Sequence, residues 1–290
     1  MGEKQIFWIA SYPKSGNTLI RTILVSLFFT NDGKFNFKLL DLILLFEHTQ
    51  RLEYIKKKCP EDFEKLKDAN VIYKYFLELQ TKEKLGLKED FCFLKTHGAQ
   101  LNYYDQSFTT KENSRGLIYI VRDPRDVAIS YAKHFNKSID DQIDFMIDQK
   151  SRISFLQNSK NKNINAFAPL SSWDVHFNSW KDFDIPKLII RYEDLIKNKK
   201  NIILLLIEFF EKNYQFNFSN IEQKIENILL TTNFKIMQEY EKQNKFKEAS
   251  NHSNFFRFGT SNQWKNVLNK KQTTLIENNF LKVMKLLHYL

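Results

Sequence analysis

Glycine, proline and cysteine are all scarce in this chain: 7, 5 and 2 among 290 residues. Glycine usually makes up about 7% of a chain, so collagen-like and flexible low-complexity architectures are excluded. Two cysteines, Cys59 and Cys92, cannot build a disulfide framework, and no CxxC or Cys/His cluster offers a zinc site. No bound metal is expected. Without Pro/Gly-rich linkers or internal repeats, no domain boundary stands out, and residues 1–290 read as a single domain. Long hydrophobic runs are missing too. The longest aliphatic stretch is Ile202 to Ile207, far short of the roughly 18 residues of a membrane span. Met1–Lys4 leads straight into a strand-like Ile6–Ile9, without the regions of a secretion signal. The sequence therefore predicts a reduced, cytoplasmic protein with no membrane span.

What is present points to a folded core and an anionic partner. Hydrophobic residues make up 42% and charged ones 27%, which suits a globular chain and rules out a disordered one. Lysine and arginine exceed the acids by 44 − 34 = 10. That sign alone does not separate nucleic acid from a small polyanion. Lys56–Lys58 and Lys197–Lys200 are short runs with acids close by, and read as solvated helix faces. Four apolar runs, Ile6–Ala10, Phe91–Leu94, Leu117–Val121 and Leu188–Ile190, have the character of buried parallel strands. Helical patterns lie between them: Leu19 to Phe28, a helix opened by Asp123 and Pro124, Leu39–Phe46, Ile202–Phe210, and a last one with Ile276, Phe280, Val283 and Leu287 on one face. The expected fold is α/β: a single domain with a central, mostly parallel sheet flanked by helices. Ligands of such sheets bind beyond the carboxyl ends of the strands.

At the end of the first strand stands Tyr12-Pro13-Lys14-Ser15-Gly16-Asn17-Thr18. Gly16 allows close backbone approach, the amides that follow open a helix, and Lys14, Ser15, Asn17 and Thr18 add charge and donors. This is phosphate-loop chemistry, but not a Walker A loop, because the lysine precedes the glycine. The segment resembles the YPKSGTT loop of the cytosolic-type sulfotransferases, which use 3′-phosphoadenosine 5′-phosphosulfate (PAPS). The resemblance implies a P-loop-like phosphosulfate-binding loop, with Lys14 at the bridging oxygen. Asn17 stands for threonine and keeps a donor. Leu19 stands where a tryptophan often stacks on adenine, and would pack on the ring instead.

The third strand ends in Arg122-Asp123-Pro124-Arg125-Asp126 and runs on to Ser130-Tyr131, similar to the family's RxPxDxxxSxY. By resemblance Arg122 and Ser130 bind the 3′-phosphate, and an arginine at a strand end can hold a phosphate bidentately. The residues alone also allow a local Arg122–Asp126 salt bridge. After the second strand comes Lys95-Thr96-His97-Gly98, matching the family's KTH element. A lone histidine is usually structural. Here the resemblance makes His97 the general base and Lys95 a stabiliser of the sulfuryl group. Imidazole suits that role because its pKa lies near operating pH. Gly98 replaces the family's leucine and is expected to reshape the acceptor pocket.

Further segments agree in order. Arg191-Tyr192-Glu193-Asp194 resembles the YED element, which places Tyr192 near adenine. Thr232-Asn233-Phe234 resembles TSF, and Arg257-Phe258-Gly259 followed by Trp264-Lys265-Asn266 resembles RKGxxGDWKN, in which arginine and backbone clasp the 3′-phosphate. Phe258 replaces a lysine there, so one cationic contact is lost. Trp173, Trp180 and Trp264 read as core packing. The resemblance runs from Ile6 to Asn266, with residues 31–90 and 136–170 left to shape the acceptor site. It implies a small-molecule acceptor (phenol, alcohol, carbohydrate or lipid), a bisphosphate product and no nucleic-acid partner. The family's dimer motif KxxxTVxxxE is not matched after Lys265, so a homodimer is not assigned. Two other readings compete: a nucleotide-dependent kinase of P-loop type, which lacks its Walker lysine and a Mg²⁺-binding acid here, and a non-catalytic basic nucleic-acid-binding protein.

Overall fold

Strand Ile6–Ser11 is buried along its whole length, as a parallel strand covered on both faces must be. It pairs in parallel with Cys92–Thr96, in a register that sets Ile6 opposite Cys92 and Ala10 opposite Thr96. The computed structural model describes residues 5–87, 89–103, 105–155, 166–244, 246–249 and 254–290. Met1–Lys4, and ten residues (156–165) of the stretch assigned above to the acceptor, lie outside them. The central sheet is parallel and five-stranded, in the order Leu44–Leu45, Cys92–Thr96, Ile6–Ser11, Ser114–Val121, Lys187–Arg191. The α/β expectation holds, and all four expected strands are present. The fifth was not expected. Leu39–Phe46 reads as helical, but forms a 3₁₀ helix over Phe37–Leu42 and then the short edge strand Leu44–Leu45. Leu40 is the buried position of the 3₁₀ helix, and Ile43 and Phe46 on either side of the strand are buried as well.

The chain divides into two compact units, each drawn from three segments. The first takes residues 1–12, 43–119 and 148–189 and contains the body of the sheet. Its core is aromatic. Trp8 packs against Phe46, Phe108 and Trp180 with ring centroids 5.4–5.9 Å apart, and Trp173 is buried as expected.

The second unit takes residues 13–42, 120–147 and 190–290 and is mainly helical. Helix Asn17–Phe29 follows the glycine-containing loop. Helix Pro124–Phe135 starts as its sequence announces, with the Asp123 carboxylate accepting the Arg125 N–H and proline at the first position. The C-terminal helix, Lys270–Leu286, buries Ile276, Phe280 and Val283 as one face. Trp264 departs from the core-packing expectation: it is half-buried and lies under the Arg125 guanidinium, 3.8 Å from the ring centroid.

Candidate active site

The residues expected to bind nucleotide all belong to the second unit, so their geometry can be built within it. Gly16 caps helix Asn17–Phe29 with φ at 99°, a conformation natural only to glycine. A Cβ at this position would lie 2.5 Å from the Tyr192 ring. Glycine is thus required twice, by its dihedral and by the ring. The first amides of a helix have no intrahelical acceptor, which suits an anion at its N-terminus. Lys14 itself adopts φ 67°. Its ammonium lies 4.2 Å from the centroid of the Phe255 ring and 3.5 Å from His134 Nδ1. The Thr18 hydroxyl donates to Glu248 at 3.0 Å, and Glu248 also pairs with Arg21. Ser15 is buried, and its hydroxyl has no hydrogen-bond partner among the described residues.

Arg122 joins this loop to the C-terminal segments. Its guanidinium donates to the Lys14 carbonyl and to the Thr260 carbonyl, both at 3.2 Å, and lies 4.4 Å from the centre of the Tyr192 ring. Its Nε is buried and has no hydrogen-bond partner among the described residues. The alternative salt bridge to Asp126 is long, 3.9 Å. Both Asp126 oxygens are taken by backbone donors, from Asn262 at 2.7 Å and Trp264 at 3.0 Å. Asp126 anchors the 260–264 loop, a role its sequence motif did not disclose. Burial, and then the charge of Arg122, hold the Arg257 guanidinium below its usual pKa. Two like charges in one neighbourhood favour a bound anion over either arginine alone.

Phe234 and Gly259 are also brought together: a Cβ on Gly259, at φ 61°, would meet the Phe234 ring at 2.6 Å. Asn233 caps helix Phe234–Gln243 through its side chain. Thr232 uses its polar groups internally. Its hydroxyl donates to the Ile228 carbonyl at 2.6 Å, while Lys199 donates to its carbonyl and hydroxyl. Burial pushes the Lys199 pKa down to about 8. Ser130 is half-buried on the second turn of its helix, Leu19 is half-buried, and Phe258 is exposed.

His97 and Lys95 belong to the first unit. Lys95 is buried in its strand. The sheet register carries the residue after Thr96 to the level of Ser11, and His97 Nδ1 lies 2.7 Å from the Ser11 carbonyl. A carbonyl only accepts, so we assign the proton to Nδ1 and the lone pair to Nε2. The backbone of this turn is gripped from two sides. Buried Glu47 accepts the N–H groups of His97 and Gly98, and His176 Nε2 donates to the His97 carbonyl at 3.1 Å. Tyr119 donates to His176 Nδ1 at 2.7 Å, and Trp180 donates to the Gly98 carbonyl at 2.9 Å. Burial pushes the His176 pKa down to about 3, so it remains a neutral donor. Neither Glu47 nor His176 was singled out from the sequence. His176 had one available signal: with Trp173, Phe177 and Trp180 it shares the buried face of helix Trp173–Lys181. Among the described residues, no group of His, Cys, Asp or Glu is arranged to hold a metal, and no helix is long and apolar enough to cross a membrane.

The parallel α/β sheet carries a glycine-containing strand-to-helix loop, and His97 is held at a strand end by the Ser11 carbonyl. The chain belongs to the sulfotransferase family: the family model "Sulfotransferase domain" matches residues 4–288, and the protein is a sulfotransferase. It is 27% identical to sulfotransferase 1A1 of Rattus norvegicus over 283 residues, covering 95% of this chain and 83% of the relative. It is 26% identical to the amine sulfotransferase of Oryctolagus cuniculus over 198 residues, 64% of this chain and 60% of that one. Among solved structures it resembles mouse sulfotransferase SULT7A1 complexed with PAP, at TM-score 0.58 and 18% identity, covering 97% of this chain and 84% of that one. It also resembles retinol dehydratase in complex with androsterone and inactive cofactor PAP, at TM-score 0.56 and 18% identity, covering 98% and 82%.

Proposed function

We propose that this sulfotransferase takes its sulfuryl group from PAPS and transfers it, by in-line displacement, to a hydroxyl or amine of a small-molecule acceptor. PAPS supplies an activated sulfur–oxygen bond whose cleavage leaves adenosine 3′,5′-bisphosphate. His97 Nε2 takes the acceptor's proton as the new bond to sulfur forms. Lys14 and Lys95 offset the negative charge that builds on the leaving phosphate and the sulfuryl oxygens, without a metal. The amides and hydroxyls of Ser15 to Thr18 hold the 5′-phosphate, while Arg122, Ser130 and Arg257 select the 3′-phosphate. Tyr192, Leu19, Thr232, Asn233 and Phe234, with Phe258 and Gly259, form the surroundings of the adenosine.

One juxtaposition carries this reading. The Arg122 guanidinium bonds to the carbonyl of Lys14, in the loop, and stacks on the same Tyr192 ring that packs against Gly16. Among the described residues the buried Ser15 hydroxyl and Arg122 Nε have no hydrogen-bond partner, and such groups are what a polyanionic ligand would satisfy. Two solved relatives of the fold are described with PAP bound, which supports the choice of nucleotide. Thermal melting with candidate ligands tests it. Adenosine 3′,5′-bisphosphate at 100 times its Kd should stabilise the protein by about 2.7 kcal/mol. ATP·Mg²⁺ and duplex DNA should leave the melting temperature unchanged. Stabilisation by ATP·Mg²⁺ in place of the bisphosphate would favour the kinase reading, and stabilisation by DNA the nucleic-acid-binding one.

A further inference from the structure

We infer that Glu47 is a positioning residue for His97, acting through the backbone of the turn that carries it. The inference rests on the reading of His97 as general base. Glu47 closes an apolar stretch, Ile43 to Phe46, and is itself buried. One of its oxygens, Oε1, does all the bonding. It accepts the Thr96 hydroxyl, the His97 N–H at 3.2 Å and the Gly98 N–H at 2.8 Å. Oε2 makes no hydrogen bond among the described residues. The Thr96 hydroxyl in turn accepts the Gly98 N–H at 2.9 Å, so carboxylate, hydroxyl and two amides form one closed group.

Gly98 belongs to the same device. A Cβ there would lie 3.0 Å from Glu47 Oε1 and 2.8 Å from the Phe108 ring. The glycine that stands where the resemblance led us to expect leucine is therefore room for the carboxylate. The orientation of the His97 ring depends on this turn, because its Nδ1 must meet the Ser11 carbonyl at 2.7 Å for Nε2 to carry the lone pair. Without Glu47 the His97 amide would lose its acceptor, the Gly98 amide would keep only the Thr96 hydroxyl, and the turn would rearrange to restore the lost bonds. A catalytic group misplaced by about 1 Å can lose about 10²-fold in rate.

The experiment compares Glu47→Ala, Glu47→Gln, His97→Ala and the double variant His97→Ala/Glu47→Ala in the full chain. PAPS is the donor, and the acceptor is the member of a phenol, alcohol and amine panel that the wild type sulfates fastest. Glu47→Ala should lower kcat by about 10²-fold, with KM for PAPS and calorimetric affinity for adenosine 3′,5′-bisphosphate unchanged. Glu47→Gln, which keeps an acceptor oxygen in place, should restore most of the rate. In the His97→Ala background the loss of Glu47 should add almost nothing, since it acts through the missing ring. Imidazole ¹⁵N spectra give a readout independent of any acceptor: the His97 Nδ1–H signal should persist in Glu47→Gln and vanish in Glu47→Ala. Equal losses from Glu47→Ala in both backgrounds, or a Glu47→Gln variant as impaired as Glu47→Ala, would overturn the inference. Full activity of His97→Ala would instead overturn the base assignment on which it rests.

Discussion

Two strand ends in this molecule solve opposite problems. The turn after Cys92–Thr96 leaves its backbone nothing to seek: both amides go to Glu47, and both carbonyls to His176 and Trp180. The loop after Ile6–Ser11 keeps a buried hydroxyl on Ser15, and the end of Ser114–Val121 an arginine nitrogen on Arg122, without hydrogen-bond partners among the described residues. Buried polar groups are normally paired, because an unmade bond costs about 1–3 kcal/mol. The difference matches the two proposed roles, a turn that orients a side chain and a loop that takes up an anion. A proton acceptor gains from rigidity, whereas a phosphate site gains from unspent donors.

The variant with the largest expected effect strikes the closed end. His97→Ala should lower kcat by about 10²–10⁴-fold, the usual loss for a general base, while affinity for adenosine 3′,5′-bisphosphate stays within a few-fold by calorimetry. Near-full turnover between pH 6 and 9 would break the comparison, for the fixed ring would then be merely structural.

Lys14→Met tests whether the open end also takes part in the chemistry. A charge that acts on the leaving group strengthens in the transition state, so kcat should fall about 10²-fold with smaller change in product affinity. Single-turnover rates set beside calorimetry separate this from a lysine that only neutralises bound phosphate. In that case affinity would drop and kcat at saturation would survive.

Arg122→Ala and Arg257→Ala should show the reverse split. Each is expected to weaken nucleotide binding by about 1.5–3 kcal/mol, the range for charged hydrogen bonds, and far less for adenosine 5′-phosphosulfate, which lacks the 3′-phosphate. Equal losses for the two nucleotides would place the arginines elsewhere.

The smallest effect concerns Lys199, which supports Thr232 near the open end. Burial holds its pKa near 8, against the ordinary value of 10.5. Between those values the unfolded chain binds more protons than the folded one, so this group makes stability rise with pH across pH 8–10.5. The melting temperature of the wild type, relative to Lys199→Met, should rise through that window and level off above it. A flat difference would mean that the lysine titrates normally.

The open end was legible in the sequence because it is local. Lys14 to Thr18 are contiguous, and Asp123 with Pro124 declares the helix that follows Arg122. The strands were legible because parallel strands buried on both faces appear as apolar runs. Leu44–Leu45 escaped because two residues at a sheet edge, beside a 3₁₀ turn, carry no period of their own. The closed end was half-visible. His97 could be marked by its place after a strand, but Glu47 and His176 reach it from 50 and 79 residues away, and pairing at such distance leaves no spacing to read. Gly98 was expected to reshape an acceptor pocket; a Cβ there would meet a carboxylate and a phenyl ring, Glu47 and Phe108.

The left-handed backbone of Lys14 has a consequence for how this protein can be engineered. A side chain other than glycine or asparagine held in that conformation costs about 1–2 kcal/mol, so position 14 sacrifices folding margin to set an ammonium group in the loop. A search for thermostable variants would be drawn to asparagine there, and would discard the charge with the strain. With Lys14 in its proposed role, stability selection and activity selection pull residue 14 in opposite directions, and a library screened for heat resistance alone would lose the ammonium group there.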